Sequence, residues 1–317
     1  MNVGTMPGFW TQLTLCLALS IPGLGQSKAL NLNGYMDNTG AITVQHGGDT
    51  VDPYFALQAL LLAKAHGLDI AHLAPLWTHW LATHHLATGQ LGRYCKTGLG
   101  WAQCKSADAE DASLALWLAF LKTVPVQQLK TPHLAILKKR TQQALRALQD
   151  PRSGIYRVSR DIPHSLLMDN LEIWSTQPSP ALAQAIQDTF WDEALQVYRV
   201  STQATHPHPM AVFYPDATAQ MYPLLLKFPA IPGGASAFYK RWMAQHRHRW
   251  LSQMASDFPW GLIALTAWER GDLQTVQCWQ QHALPLRHSA HWTVTDEVVA
   301  QILPSPNDAA LPQKDCS

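Results

Sequence analysis

Acidic side chains recur along the chain where apolar helical segments begin, about 40 to 60 residues apart. Carboxyl groups can donate and accept protons when their surroundings separate their pKa values, which is the basis of general acid and base catalysis. If these segments begin on one rim of the fold, several carboxyl groups surround one opening. The aspartates at the six starts are Asp52, Asp111, Asp169, Asp216, Asp257 and Asp296.

An aspartate at a helix start also has a structural explanation, because it caps free backbone N–H groups and complements the helix dipole. For any single aspartate, capping is the commoner role. Asp169 and Glu172 depart from that pattern, since their i, i+3 spacing places them on one face of a mostly apolar segment. Asp111 lies beside Asp108 and Glu110, and this local negative charge favours a raised carboxyl pKa. The candidate catalytic residues are therefore Asp52, Asp111, Asp169 and Asp216, with Asp52 and Asp111 as the preferred pair.

The elements that must position these residues alternate between apolar and more polar helices. A segment that is apolar nearly all round is buried, whereas a helix with one charged face borders solvent. Loops such as TGQLGRYCKT, SGIYRVSRD and ALQVYRVST predict short β-hairpins between successive helix pairs. The pattern therefore predicts an all-α protein with an inner and an outer layer. The inner helices are expected near 53–66, 109–123, 165–176, 216–227, 258–270 and 295–303, and the outer ones near 70–87, 130–149, 180–195, 235–254 and 272–284.

Six inner helices with acidic N-terminal ends, hairpin loops and 13 Trp resemble the six-hairpin glycosidases. The segments GGDTVDPYFA, LLMDNLEIW and FYPDATAQMYP carry this resemblance within residues 35–303. It implies an (α/α)6 toroid with an active-site groove at the rim where the inner helices begin. The family includes cellulases, xylanases, uronyl hydrolases and related lyases. One departure is that no sixth outer helix is predicted after Leu303, so the N-terminal segment would have to fill that place.

The resemblance implies an oligo- or polysaccharide substrate and a glycoside hydrolase, or less favourably a lyase. Glycosidic cleavage uses one carboxyl group to protonate the leaving oxygen and a second to activate water or attack the sugar. Arginines on the loops, among them Arg93, Arg157, Arg160 and Arg199, would suit an acidic saccharide, or simply balance surface charge. The side chains expected to bind substrate are Asp37, Asp49, Tyr54, Tyr156, Arg157, Asn170, Glu172, Trp174, Tyr214 and Trp260.

Two alternatives to an enzyme stay open at this point. Toroids of this kind also serve as scaffolds, so a non-catalytic glycan-binding or scaffold protein of the cell envelope is one alternative. A membrane-anchored assembly factor is the other, if the N-terminal segment is not cleaved.

Composition and motifs argue against several other classes of function. The 317 residues are 47% hydrophobic, which is enough for a large core. The 23 basic and 22 acidic residues leave a net charge of +1 without a basic stripe, so nucleic acid is not an expected partner. The sequence contains no G-x-G-x-x-G, P-loop or G-x-S-x-G motif, and its histidine clusters lack metal-ligand spacing. We therefore expect no cofactor and no metal.

The chain termini and cysteines indicate export. The apolar residues 9–24, with Gly23 and Gly25, predict a signal peptide over residues 1–25, although no Lys or Arg precedes them. We then expect a periplasmic or secreted protein without a stable membrane span, with one domain at 26–303 and a tail at 304–317. Of three connectivities for the remaining four cysteines, Cys95–Cys104 with Cys278–Cys316 is preferred, and free thiols are the alternative.

Overall fold

The computed structural model describes residues 28–125, 132–203 and 212–305, together with Cys316. The predicted signal peptide and most of the predicted tail lie outside the described residues. The described part of the chain is mostly helical, with eleven α-helices and a few short strands. None of its helices is both long enough and apolar enough to cross a membrane.

The helices alternate along the chain much as the sequence pattern predicts. They are α1 (Pro53–Ala65), α2 (Ala74–His84), α3 (Glu110–Leu121), α4 (Pro132–Leu148), α5 (Leu167–Thr176), α6 (Pro180–Phe190), α7 (Tyr222–Leu225), α8 (Ala235–Gln253), α9 (Gly261–Glu269), α10 (Leu273–Ala283) and α11 (Val294–Ile302). The strands are β1 (Thr50–Val51), β2 (Gly92–Thr97), β3 (Gly100–Ser106), β4 (Trp191–Asp192) and β5 (Val197–Tyr198).

Local chemistry explains where several helices begin. Asp52 caps α1 by accepting a hydrogen bond from the Tyr54 backbone N–H, and Pro53 follows at the first helical position. Proline is tolerated there because its missing N–H would have no partner in the helix. At the start of α11, the side chains of Thr293 and Asp296 each bond to the other residue's backbone N–H, forming a capping box.

The helices predicted to be inner contact one another in chain order. Helix α1 packs against α3, α3 against α5, α5 against α7, α7 against α9, α9 against α11, and α11 against α1. The more polar helices α4, α6 and α10 each pack against the inner helix that precedes them. Large side chains such as Trp77, Trp117 and Trp279 are fully buried, so tryptophan contributes much of the core.

The segment before α1 packs along the last helix. The Val44 carbonyl accepts from the Val294 N–H at 2.8 Å, and the Gln301 side chain bonds to both the N–H and the carbonyl of Asn31. Strand β1 then pairs with β2, and β2 pairs with β3, all antiparallel. The N-terminal segment therefore lies beside α11, and the residues described after α11 contain no further helix.

The prediction of one helix over residues 216–227 is wrong. The structure has a π-helical turn at Phe213–Ala217 and then the short helix α7. Pro223 lacks the N–H that a continuous helix over this range needs, and the Tyr214–Pro215 peptide just before it is cis. The break leaves Tyr214 in an extended conformation and about half exposed.

The outer helix predicted over 180–195 is shorter than expected, because it ends at Phe190 and the chain continues into β4. The Asp192 side chain accepts from the Ala194 and Leu195 N–H groups, so it stabilises a turn instead. Two of the predicted hairpins are present as β2–β3 and β4–β5. The third segment, SGIYRVSRD, forms only an isolated bridge between Gln149 and Tyr156.

Both expected disulfide bonds are present. Cys95–Cys104 joins β2 to β3, and Cys278 on α10 is bonded to Cys316. The first bond crosslinks a hairpin beside α1, and the second attaches the end of the chain to an outer helix.

Candidate functional site

The first turns of α1, α3 and α5 place buried acidic side chains on three successive inner helices. Asp52 caps α1, Asp111 is in the first turn of α3, and Asp169 is in the first turn of α5. Because α1 packs on α3 and α3 packs on α5, these helix starts are neighbours. Glu172 follows Asp169 by one turn on the same helix and is also buried.

Asp111 and Asp169 form a carboxyl pair across α3 and α5. Asp111 is 0% exposed, and both of its carboxyl oxygens are buried without a hydrogen-bonding partner, while the Asp169 carboxyl lies close enough to act on its pKa. Burial raises the pKa of Asp111 well above its usual range, and the Asp169 charge raises it further. Burial also raises the pKa of Asp169, to about 7. Two adjacent buried carboxylates without a cation repel each other, so the pair retains a proton near neutral pH.

This pairing changes the interpretation from the sequence. The carboxyl group in contact with Asp111 belongs to Asp169, and Asp52 is held instead near an arginine. The raised pKa of Asp111 comes mainly from burial and Asp169, rather than from its sequence neighbours Asp108 and Glu110. Asp169 as a residue keeps 4% exposure, although its Oδ2 is buried without a hydrogen-bonding partner.

Glu172 joins the pair to helix α1. Its Oε1 accepts hydrogen bonds from the Tyr54 hydroxyl at 2.9 Å and the Gln58 amide at 2.8 Å, while its Oε2 is buried without a partner. Burial and the Asp169 charge raise the pKa of Glu172 to about 8, against the effect of these two bonds. The Tyr222 hydroxyl is within hydrogen-bonding reach of Tyr54 and Gln58. A network of hydroxyl, amide and carboxyl groups therefore connects α1, α5 and α7.

Asp52 lies near Arg93 at the edge of this group. The Arg93 Nε is 4.0 Å from the Asp52 Oδ2, and its Nη2 is 3.7 Å from the exposed Asp108 carboxylate. Burial raises the pKa of Asp52 to about 6, although its bond from the Tyr54 N–H and the Arg93 charge act in the opposite direction. The Asp108 charge raises the pKa of both Asp52 and Asp169. One exposed carboxylate thus influences two buried ones electrostatically.

A cavity of about 240 Å³ adjoins this network. Six of its fourteen lining residues are aromatic, among them Tyr54, Tyr222 and Phe258. Its polar lining groups are Gln58, Asp257, Thr293, Thr295 and Asp296. At its edge the rings of Tyr214 and Trp260 stack, with centroids 4.9 Å apart and planes 17° apart. Trp260 has a φ of +49°, in the left-handed region that residues other than glycine seldom adopt. Such backbone strain is concentrated at functional sites.

Three predicted aspartates have clear structural roles. Asp216 accepts from the Val212 N–H at 3.2 Å, next to the broken helix. Asp257 accepts from the Trp260 ring N–H, which helps to orient that ring at the cavity. Asp296 forms the capping box of α11 and also accepts from the Gly261 N–H at 2.8 Å. The catalytic role assigned to Asp216 stays a prediction.

Of the side chains predicted to bind substrate, Tyr54, Tyr214 and Trp260 line the cavity, and Glu172 bonds to Tyr54 behind it. Asn170, also predicted to bind substrate, is fully buried and its side-chain amide is already hydrogen-bonded. It accepts from the Tyr156 N–H and donates to the carbonyls of Tyr156 and Leu166. Asn170 thus holds the loop before α5 rather than a ligand.

Trp174, Asp37 and Asp49 do not line the cavity. Trp174 is near the C-terminal end of α5, where it packs edge-on against Phe228. Asp37 accepts from the Thr39 and Ala41 N–H groups and the Trp101 ring N–H. Asp49 is exposed and bonds to the Thr50 hydroxyl. These contacts within the protein explain where the three side chains lie, with no need for a bound substrate.

Tyr156 and Arg157 also lie outside the cavity wall. Tyr156 lines a separate cleft that contains Lys122 and Arg146. The Arg157 Nε is buried without a hydrogen-bonding partner, and its substrate-binding role stays a prediction.

Sequence reasoning missed Gln58, Tyr222 and Phe258 as site residues. Gln58 carried a usable signal, because it is a polar residue four positions after Tyr54 in an otherwise apolar stretch of α1. Tyr222 had no such signal, since its position depends on the break before α7. Phe258 lies two residues before Trp260, and both rings reach the cavity.

In the described part of the chain, no group of three or more His, Cys, Asp or Glu side chains is arranged to hold a metal ion. The sequence matches no protein-family model and no curated protein at a significant level. The function is therefore inferred from the geometry of the site.

Proposed function

We propose that the chain is an exported carbohydrate-active enzyme, most specifically a glycoside hydrolase, built on an (α/α)6 toroid. The succession of inner-helix contacts from α1 through α3, α5, α7, α9 and α11 back to α1 supports a closed ring. The N-terminal segment bonded to α11 would complete the outer layer. The two disulfide bonds are compatible with an oxidising compartment.

The observation that carries the proposal is the buried Asp111–Asp169 pair, because the Asp169 charge acts on Tyr54 and Tyr214 in the wall of the aromatic cavity. A carboxyl group that keeps its proton near neutral pH can protonate a leaving oxygen, which is the first requirement of glycosidic cleavage. Asp169 is the proposed proton donor, because it keeps 4% exposure as a residue whereas Asp111 keeps none. Asp111 lies behind it and acts as a positioning residue that keeps a proton on the pair.

Asp52 is the proposed second carboxyl group. Its pKa of about 6 leaves it mostly ionised at pH 7, when the Asp111–Asp169 pair still retains a proton. An ionised carboxylate can activate a water molecule or attack the sugar carbon. The Arg93 charge lowers the pKa of Asp52, and the Asp108 charge raises it. Strand β2, which carries Arg93, and the loop before α3, which carries Asp108, therefore both influence the basicity of Asp52.

The aromatic walls suit a sugar ring, because stacked rings bind the apolar faces of sugars while hydroxyl and amide groups bind their edges. The Tyr214–Trp260 stack would provide the platform, and Tyr54, Gln58 and Tyr222 the polar contacts.

The test is a screen of the purified chain against neutral and acidic polysaccharides, reading new reducing ends and the absorbance of unsaturated uronate products. Reducing ends without that absorbance support hydrolysis, whereas both signals together indicate a lyase. Asp169→Asn should lower kcat/KM by about 10²- to 10⁴-fold, as expected for loss of a general acid. Asp188→Asn, at an exposed site on α6, is the matched control and should keep full activity.

An active Asp169→Asn enzyme would remove the proposed proton donor. Retained binding of a polysaccharide without turnover by the unmodified chain would instead favour a glycan-binding or scaffold protein. The two outcomes are separated by measuring binding and product release on the same preparations.

A further inference from the structure

A second cleft, of about 300 Å³, lies among α3, α4 and the end of α5. It shares no lining residue with the aromatic cavity. Its ionisable cations are Lys122, which follows α3, and Lys138 and Arg146, which are both on α4. Positions 138 and 146 are eight residues apart, so their side chains lie on a similar face of α4, about two turns apart.

The charged side chains that line this cleft are all positively charged. Among the described residues, no acidic side chain lines it, and none lies within ion-pairing distance of Lys122, Lys138 or Arg146. The aspartate that follows α4, Asp150, is bonded to the Arg152 N–H and the Ser153 hydroxyl of its own turn. Like charges gathered without a counter-charge repel one another, and a bound anion would relieve that repulsion.

The rest of the lining is rich in neutral hydrogen-bonding groups. Gln142 on α4, Gln177 after α5 and Tyr156 before α5 all face the cleft. Amide and hydroxyl groups of this kind bind the hydroxyl groups of a ligand, whereas lysine and arginine bind its anionic group.

We propose that this cationic cleft binds a hydroxyl-rich small molecule that carries one oxyanion, either a carboxylate or a phosphate, such as an anionic monosaccharide. The site would act independently of catalysis at the aromatic cavity. It also gives Tyr156 a binding role, at a place other than the active-site rim.

Three monosaccharides that differ at one carbon test the proposal, namely glucose, glucuronate and glucose 6-phosphate. Binding of each to the full chain is measured by isothermal titration calorimetry at low and at moderate salt. We expect at least one anionic sugar to bind about fivefold or more tightly than glucose, and to weaken with salt. Preference for glucuronate would identify a carboxylate as the anion, and preference for glucose 6-phosphate a phosphate.

Lys138→Gln and Arg146→Gln should each weaken binding of the anionic sugar about fivefold, as expected for one exposed charged contact. Lys139→Gln is the matched control, since it removes the same charge from the same helix but does not line the cleft. Equal binding of all three sugars, or an equal loss in the Lys139→Gln control, would overturn the proposal. Because the readout is binding at α4, failure of this proposal is distinct from failure of the proposed hydrolysis.

Discussion

Glu172→Gln should reduce the pH dependence of stability, because the folded protein holds this carboxyl group in its neutral form. The pKa of Glu172 is raised from 4.5 to about 8, so between these values the folded chain keeps a proton that the unfolded chain has lost. A raised folded-state pKa contributes stability at low pH that is lost as the pH rises through the folded value. The free energy of unfolding should therefore fall by up to about 1.4 kcal/mol per pH unit from this group.

Between pH 5 and 7.5 this contribution amounts to about 3 kcal/mol. Glutamine has nearly the same shape and keeps an oxygen that can accept from Tyr54 and Gln58, but it does not titrate. In the variant, the free energy of unfolding should no longer show the pH dependence that comes from Glu172. It should keep the pH dependence that comes from Asp111 and Asp169, whose raised pKa values act in the same direction.

The assay is guanidinium unfolding followed by tryptophan fluorescence at half-unit pH steps from 5 to 7.5. The exposed Asp188→Asn variant controls for the removal of an ordinary carboxyl group and should keep the slope of the unmodified protein. If Glu172→Gln and the unmodified protein show the same slope, Glu172 is ionised in the folded state and the argument from burial is refuted.

Three further predictions concern the site and its supports. Trp260→Ala should raise KM about three- to tenfold with a smaller change in kcat, because a stacked aromatic pair contributes about 0.5–1.5 kcal/mol; an unchanged KM would exclude a stacking platform. Replacing Cys95 and Cys104 by serine should lower the free energy of unfolding by about 2–3 kcal/mol in chemical denaturation, given the short loop with a separation of 9 residues, and an unchanged midpoint would contradict this. Asn170→Ala removes three hydrogen bonds from a buried site and should cost about 2–4 kcal/mol by the same measurement; a cost below about 0.5 kcal/mol would show that the loop before α5 has other support.

The sequence predicted helix starts well where they depend on interactions between neighbouring residues. Asp52 marked the start of α1 and the outer helix predicted from residue 180 does begin at Pro180, because a cap and a first-turn proline depend only on adjacent residues. The single helix predicted over 216–227 was wrong, because its apolar spacing suggested a continuous helix that Pro223 interrupts.

The site was predicted in part, and the errors have one cause. The acidic residues at helix starts correctly indicated most of the buried carboxyl groups. Which side chain each carboxyl group contacts depends on distances between helices, and the sequence does not show these distances. Asp111 contacts Asp169 rather than Asp52, and Asn170 bonds to a backbone loop 14 residues away instead of facing a ligand.

The sequence by itself determined the mostly helical class and the alternation of apolar and polar helices. Periodicity and capping are properties of a few consecutive residues, so they can be seen in the chain before it folds. Tertiary structure alone decided which carboxyl groups meet, which lose their solvent, and which tyrosines reach the cavity. A carboxyl pKa depends on burial and on charges from other helices, so the chemistry of Asp52, Asp169 and Glu172 exists only once α1, α3 and α5 have packed together.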